Sequence, residues 1–207
     1  INVKSMGSQT LSDDGVFLAG IITDGRARFG TDHFRFRDPS YLNTTAGELV
    51  IINTETGEKI SPFGEKSQVT NLTWTSSADK LIFFQQKEGK MVLSYFDMKT
   101  KKVRDVKLKD SRLLATNNGI EVSPNGEEVV IGMRKEGWFE MAMADYNEAT
   151  KGPVVVYDGS KPFLKWDKIS ANDGLAEIVK VNLKSGEVND LLPESDYGSL
   201  KIDDQGE

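Results

Sequence analysis

A short hairpin pattern recurs along this chain, and its recurrence limits the available folds more than any other feature. The clearest copy covers residues 119–133, where apolar and polar residues alternate on both sides of the Ser-Pro-Asn-Gly sequence at 123–126. Proline fixes φ at one corner of a tight turn, and Asn-Gly accepts the left-handed exit. Alternation of this kind is typical of half-buried strands, so the segment predicts a β-hairpin.

Weaker copies of this hairpin occur at residues 9–22 and 71–85, and residues 199–206 resemble the start of another. In the 71–85 copy we align Lys80 with the turn glycine. A second type of hairpin follows the first type three times, with apolar strands on either side of a polar turn. These outer hairpins cover residues 48–61, 91–108 and 177–192.

The spacing of the two hairpin types indicates the architecture. First-type turns end at residues 15, 80, 126 and 206, and second-type turns are marked by Asn53, Asp97 and Asn182. If residues 24–46 and 134–175 are insertions, the repeat is about 41–46 residues long, which is typical of four-stranded β-propeller blades. We therefore predict an all-β fold, a partial β-propeller of about three four-stranded blades plus the start of a fourth.

The blades are expected within a single unit that spans residues 1–207. Blade one covers about 7–63, blade two about 68–108 and blade three about 117–193, and a fourth begins at 198. Both insertions fall between the second and third strands of a blade, so we expect them to project from the same rim. Open blades would leave strand edges unpaired, which predicts a larger ring of seven or eight blades or a second chain that completes it.

The third unit can be divided in another way. Residues 141–146 could form a strand, with a turn over 147–152 and an outer strand over 154–157, and residues 158–193 would then belong to a further blade. We prefer an insertion, because residues 178–188 match the other outer hairpins better.

Composition and motifs exclude several kinds of chemistry. The net charge of −6 argues against a nucleic-acid-binding surface, and the lack of cysteine excludes disulfides and thiolate metal sites. His33 is the single histidine, and we expect it to be an ordinary strand or loop residue. Asp13-Asp14 and Asp203-Asp204 fit turn capping better than metal binding. Phosphate-binding glycine loops and apolar runs long enough to span a bilayer are absent, so we predict no cofactor, no metal, no membrane span and no catalytic residues in this chain.

Two groups of residues are candidates for binding. The first insertion carries arginines among aromatic residues, and arginine forks bind carboxylates well. The alternative is a solvated or interdomain loop, balanced by aspartates at 24, 32 and 38. In the second insertion, aromatic residues either line a rim pocket or pack blade against blade. The candidate binding residues are Arg26, Arg28, Arg35, Arg37, Trp138 and Trp166, with Phe139 and Phe163 as further aromatic members of the second group.

Two segments resemble a known repeat. Ser-Pro-Asn-Gly-Glu at 123–127 and Val-Asn-Leu-Lys-Ser-Gly-Glu-Val at 181–188 resemble the TolB-type propeller repeat, which reads SPDGK and later VDLxTGE. Pro-Phe-Leu-Lys-Trp-Asp at 162–167 is similar to an aromatic-basic stretch in the N-terminal propeller of prolyl oligopeptidase-family serine peptidases, which include dipeptidyl and acylaminoacyl peptidases. The resemblance covers nearly the whole chain.

That resemblance implies a non-catalytic propeller domain that gates or filters peptide access to an α/β-hydrolase domain. Such enzymes carry their serine in a Gly-x-Ser-x-Gly elbow, which this sequence lacks, so the chemistry would lie outside the chain. The implied partners are further blades and a hydrolase domain of the same polypeptide, with a peptide or protein as ligand. The alternative is a stand-alone TolB-like propeller that acts as a protein-binding scaffold. We favour a periplasmic or secreted location over a cytoplasmic one.

Overall fold

The structure is a computed structural model that describes residues 4–24, 46–149, 151, 165–198 and 200–202, with only the backbone of 165 and 166. Three four-stranded antiparallel sheets account for most of these residues. The first sheet contains β1 (Lys4–Leu11), β2 (Phe17–Asp24), β3 (Glu48–Asn53) and β4 (Lys59–Ile60). The second contains β5 (Val69–Trp74), β6 (Lys80–Lys87), β7 (Lys90–Asp97) and β8 (Lys102–Asp105). The third contains β9 (Leu114–Val122), β10 (Glu128–Met133), β11 (Leu175–Asn182) and β12 (Val188–Asp196).

Each sheet is a simple meander, with its strands in chain order from one edge to the other. The first strands of the sheets lie next to one another, with β5 between β1 and β9. Trp74 Nε1 donates to the carbonyl of Thr10 at 3.3 Å, and Thr73 Oγ1 donates to the carbonyl of Ile120 at 3.1 Å. The prediction of an all-β partial propeller is therefore confirmed. Of the predicted fourth-blade strand, the structure describes only residues 200–202, which are not in a strand.

The core lies between the sheets, and β6 is buried on both of its faces. Leu81 and Phe83 pack in the cluster shared with the first sheet, whereas Ile82 and Phe84 pack in the cluster shared with the third. All four side chains are fully buried. A strand covered on both faces needs an uninterrupted apolar run rather than alternation, which explains this stretch of sequence.

A side-chain hydroxyl closes the turn of each first-type hairpin. Ser12, Thr75 and Ser123 each accept a hydrogen bond from the backbone N–H five residues later, at 2.9–3.1 Å. This alignment corrects the predicted position of the second turn. Ala78, with φ of 53°, stands where the other turns have glycine, and Lys80 is already the first residue of β6. Serine and alanine at this turn conceal the motif, which is why the glycine position was misplaced by two residues.

The second-type turns also share one pattern of side-chain to backbone hydrogen bonds. Asn53, Asp97 and Asn182 each accept hydrogen bonds through Oδ1 from the backbone N–H groups two and three residues later, at 2.8–3.1 Å. Side chains of this type favour turns because they bond to nearby backbone. The residues that marked these turns in the sequence are therefore the residues that hold them.

The second insertion contains helices. Helix α1 covers Trp138–Ala149 and α2 covers Lys165–Gly174. The alternative division of the third unit, with a strand over 141–146, is therefore wrong, and its outer strand over 154–157 lies outside the described residues. The Met-Ala-Met-Ala alternation at 141–144 mimics a strand, but methionine and alanine are strong helix formers. The residues that α1 buries are spaced as on one helix face: Trp138, Ala142, Tyr146 and Ala149.

Candidate functional site

Most of the predicted binding residues lie outside the described part of the chain. These are Arg26, Arg28, Arg35, Arg37 and Phe163. His33, Asp203 and Asp204, for which no binding role was predicted, also lie outside the described residues. The backbone of Trp166 belongs to α2, but its side chain is not described. Trp138 and Phe139 are described, and both border a cleft between the second and third sheets.

This cleft, which we call the insertion-side cleft, has a volume of about 630 Å³. It lies where β6 and β10 end, and we name that end of the sheets the insertion rim. Three segments enclose the cleft: the turn between β6 and β7, residues 110–114 before and at the start of β9, and residues 135–140 at the start of α1. The cleft therefore lies between two blades, a common position for ligand sites in folds built from packed units.

The lining combines apolar and charged side chains of both signs. Met91, Leu113, Leu114, Trp138 and Phe139 provide the apolar part. The charged part consists of Lys90, Asp110, Arg112, Lys135, Glu136 and Glu140. The cleft therefore presents both polar and apolar groups to a ligand.

Trp138 anchors the start of α1 and is only 3% exposed. Its Nε1 donates a 2.9 Å hydrogen bond to the carbonyl of Asn172 in α2. The guanidinium of Arg134 lies 4.3 Å from the centre of the Trp138 ring, in a cation–π contact. Trp138 thus borders the cleft while packing within its own insertion.

Arg134 fastens the insertion to the third sheet. It follows β10 directly and is 2% exposed, which is unusual for an arginine. Its Nη2 donates to Asp173 Oδ1 and its Nη1 to the Asp173 carbonyl, both at 2.7 Å, and Nη1 also donates to the carbonyl of Leu175. Burial lowers the pKa of Arg134, although the charge of Asp173 opposes that effect. Both ends of the insertion therefore meet at one side chain.

The two helices are held to each other through Asp145. Lys168 Nζ donates to Asp145 Oδ1 at 2.5 Å, and Asn172 Nδ2 donates to Oδ2 at 2.7 Å. Burial alone would raise the pKa of Asp145, but these two hydrogen bonds outweigh it, so the pKa lies below its usual value. Tyr146 and Ile169 pack together below this ion pair. The insertion is therefore a structured pair of helices on the rim.

Arg112 holds the opposite wall of the cleft in place. Its guanidinium donates to Asp110, Glu177 and Asp190, each at 2.7 Å. Hydrogen bonding to Asp110 is the main reason that the pKa of Arg112 is raised, and the same bonds lower the pKa of Asp110. Because Glu177 and Asp190 belong to β11 and β12, Arg112 links the loop before β9 to the outer strands of its own sheet.

Two apolar side chains of α1 face solvent, and one of them, Phe139, lines this cleft. Phe139 is 47% exposed and Met141 is 42% exposed. Large exposed apolar groups near a cleft are often part of an interaction surface.

Neither a metal-ligand cluster nor a membrane-spanning helix is found in the described part of the chain. In the described ranges, no group of three or more His, Cys, Asp or Glu side chains is placed to hold a metal ion. Neither of the described helices is long and apolar enough to cross a membrane. What the cleft offers is shape, aromatic surface and paired charges.

Arg134 and Arg112 were not identified from the sequence. The only available signal for Arg134 was its position directly after the buried strand β10, where a long cation must find partners nearby. Arg112 pairs with residues 65 and 78 positions away, which no local pattern reveals.

Comparison with known protein families and with curated protein sequences finds no match. Solved structures do match. TolB from Acinetobacter baumannii is 10% identical with a TM-score of 0.54, over 98% of this chain and 36% of its own length. Acylaminoacyl peptidase from Pyrococcus horikoshii is 13% identical with a TM-score of 0.53, over 94% of this chain and 25% of its own. Oligogalacturonate lyase from Vibrio parahaemolyticus is 10% identical with a TM-score of 0.51, over 92% of this chain and 40% of its own.

The chain has the fold of part of a TolB-type β-propeller. The resemblance inferred from the repeat motifs is thus confirmed at the level of fold. The chain spans between a quarter and two fifths of the length of these three proteins. Since their names describe different activities, the likeness by itself does not indicate which activity accompanies this propeller.

Proposed function

We propose that this chain is a non-catalytic propeller segment of a prolyl oligopeptidase-type serine peptidase, and that it filters peptide access to a hydrolase domain outside these residues. The observation that supports this proposal most is the anchored helical insertion beside the insertion-side cleft. A fixed element at the mouth of a cleft can select ligands by size, because its position costs no reorganisation when a ligand arrives.

The position of the insertion supports the same role. The corresponding connection in the second sheet, between β6 and β7, is a tight turn at Glu88 and Gly89. Residues 134–174 replace that turn in the third sheet, and Arg134 and Asp173 join the two ends. A propeller that needs only strands for stability does not require such an insertion for packing. The presence of the insertion therefore favours a functional role for it.

The proposal is tested on the intact protein with a fluorophosphonate probe, which labels activated serines. We expect one labelled serine, located outside residues 1–207 within a Gly-x-Ser-x-Gly sequence, and cleavage of short peptides by the same protein. Absence of labelling together with absence of peptide cleavage would contradict the proposal.

A protein-binding scaffold is the second candidate, favoured by the exposed side chains of Phe139 and Met141. In that case replacement of both residues by alanine would abolish capture of a protein partner by the intact protein. The same replacement would not change serine labelling. Partner capture and serine labelling, measured together, therefore distinguish the two candidates.

A further inference from the structure

A second cleft lies between the same two sheets, at the end opposite the insertion rim. Its volume is about 700 Å³, and it is enclosed by the starts of β6 and β10, by β7 and β8, and by the turn between β11 and β12. We call it the basic cleft, because four of its lining residues are cationic. These residues are Lys80, Arg104, Lys107 and Lys184.

Two of these cations, Lys107 and Lys184, have no carboxylate partner in the described part of the chain, whereas the charge of Arg104 helps to lower the pKa of Asp97. Lys80 pairs with Asp79 at 2.7 Å. Arg104, Lys107 and Lys184 form no ion pair within 4.0 Å among the residues that the structure describes. Like charges gathered in one cleft without partners repel each other, and they attract an anionic ligand.

The acidic groups in this cleft do little to offset that charge. Asp105 is already neutralised, since Lys87 Nζ contacts both of its carboxylate oxygens at 2.6 and 2.7 Å and Ser94 Oγ donates to it at 2.9 Å. Glu127 is the remaining acid in the lining. The cleft is therefore cationic in a chain whose net charge is −6.

The walls of the basic cleft are fixed by two backbone contacts, one from the loop after β8 to the turn between β11 and β12 and one between two turns of the third sheet. Lys109 N–H donates to the carbonyl of Gly186 at 2.8 Å, and Leu183 N–H donates to the carbonyl of Glu127 at 2.9 Å. A Cβ on Gly186 would lie 1.8 Å from the carbonyl oxygen of Lys107, so only glycine allows this approach. The cations are thus held on a preformed surface rather than on independent loops.

Protection of a sheet edge explains only part of this charge. Six of the eleven residues from 99 to 109 are lysine or arginine, and lysines on an edge strand such as β8 discourage unwanted pairing. Lys184 belongs to the next sheet and lies in a turn, where no strand edge needs protection. Its convergence with Arg104 and Lys107 on one cleft points to a ligand.

We propose that the basic cleft binds an acidic peptide segment that carries at least two carboxylates. The unpaired cations come from two different sheets, so a ligand with several anionic groups satisfies them better than a single ion. Tyr95 and Leu183 add apolar surface to the lining, which suits the side chains of a peptide. This site is independent of the insertion-side cleft and of the function proposed for it.

The test measures binding of a fluorescein-labelled hexaglutamate peptide to the intact protein by fluorescence anisotropy, with a hexaglutamine peptide as the neutral probe. We expect hexaglutamate to bind more tightly than hexaglutamine, with an affinity that falls as salt is added. The triple substitution R104Q, K107Q and K184Q should weaken hexaglutamate binding about tenfold or more.

The control is the pair K90Q and K135Q, which removes positive charge from the insertion-side cleft instead. That variant should bind hexaglutamate nearly as the unsubstituted protein does. Equal weakening in both variants, or no preference for hexaglutamate, would overturn the proposal. Binding to phosphatidylserine vesicles without binding to hexaglutamate would also overturn it, in favour of a membrane surface.

Discussion

At the scale of single residues, the repeat is maintained by a few backbone conformations rather than by apolar side chains. Each second-type turn ends in a residue with positive φ, namely Gly57, Lys101 and Gly186. Lysine at φ of 56° carries a steric cost of about 1–2 kcal/mol that glycine does not. The turn in the second sheet is therefore strained at a position where the other two turns are not.

We predict that K101G stabilises the protein by about 0.5–1 kcal/mol. The relief of strain exceeds the extra entropy that glycine gains in the unfolded chain, and the Lys101 side chain is exposed, so no packing is lost. Urea unfolding followed by circular dichroism measures the change. The matched control is G57A, which should destabilise the protein by about 1 kcal/mol. A Cβ at Gly57 meets no atom within 4 Å, so this substitution tests the effect of the positive φ alone. A destabilised K101G would contradict the account of this turn.

The Arg112 cluster predicts a pH dependence of stability. Because Arg112 lowers the pKa of Asp110, the carboxylate contributes stability above its unfolded pKa of about 4 and loses it as pH falls through the lower folded pKa. R112Q should therefore cost about 2 kcal/mol at pH 7, and this cost should shrink as the pH falls below about 4, the unfolded pKa of an aspartate. Urea unfolding of both proteins across this pH range measures the difference.

Lys109 provides the control for that experiment. Its ion pair with Glu187 spans 3.3 Å, and both side chains are mostly exposed. Exposed pairs contribute little, so K109Q should change the free energy of unfolding by less than about 1 kcal/mol. A cost of R112Q that is independent of pH would show that Asp110 is not the group that Arg112 stabilises.

At the scale of elements, the insertion depends on one buried side chain. We predict that R134M destabilises α1 by about 2–4 kcal/mol, because it removes the buried guanidinium that pairs with Asp173 Oδ1 and contacts the Trp138 ring. Hydrogen exchange should accelerate at residues 138–149 while the amides of β6 remain protected. The control is K168M, whose exposed cation should matter less. Equal loss of protection in α1 and β6 would contradict a local anchor.

The strands were predictable because their signals are local. Asn53, Asp97 and Asn182 mark turns by bonding to neighbouring backbone, and the hairpin predicted to begin at residue 48 does begin there, with β3. The helix α1 was not predictable, since the Met-Ala alternation fits both the two-residue period of a strand and the 3.6-residue period of a helix. What decides between helix and strand is burial of Trp138 and Tyr146 against α2, which depends on residues 23 and 34 positions away, Ile169 and Asn172.

The inner strands contain a further repeat that the sequence conceals. Ser8, Asn71 and Gly119 all have positive φ and lie four residues before the turn hydroxyl of their hairpin, at a break in the strand register. Serine, asparagine and glycine share no pattern that a search by residue type would detect. The repeated feature is the backbone bulge, which increases local twist in the innermost strand of each blade.

At the scale of the whole molecule, two clefts lie at opposite ends of the interface between the second and third sheets. β6 lies at the centre of the core, because its two faces pack in the clusters shared with the first and third sheets. The far face of the third sheet carries its own cluster, where Val130 and Ile178 pack with the partly buried Leu200 and Ile202. We propose that further blades continue from such faces to close the ring, as full closure removes exposed strand edges.

We propose that the helical insertion controls which peptides pass the insertion rim. The most direct test is to measure kcat/KM of the intact protein for a series of peptides of increasing length. It is compared between the unsubstituted protein and a variant in which residues 134–174 are replaced by the Glu-Gly turn found between β6 and β7. A second variant, F139A with M141A, keeps the fold of the insertion and alters only its exposed apolar surface.

We predict that kcat/KM for the short peptides stays the same in the replacement variant, whereas kcat/KM for the long peptides rises about tenfold. The double alanine variant should change the preference among long peptides without affecting short ones. An unchanged ratio of long-peptide to short-peptide kcat/KM in both variants would contradict the claim.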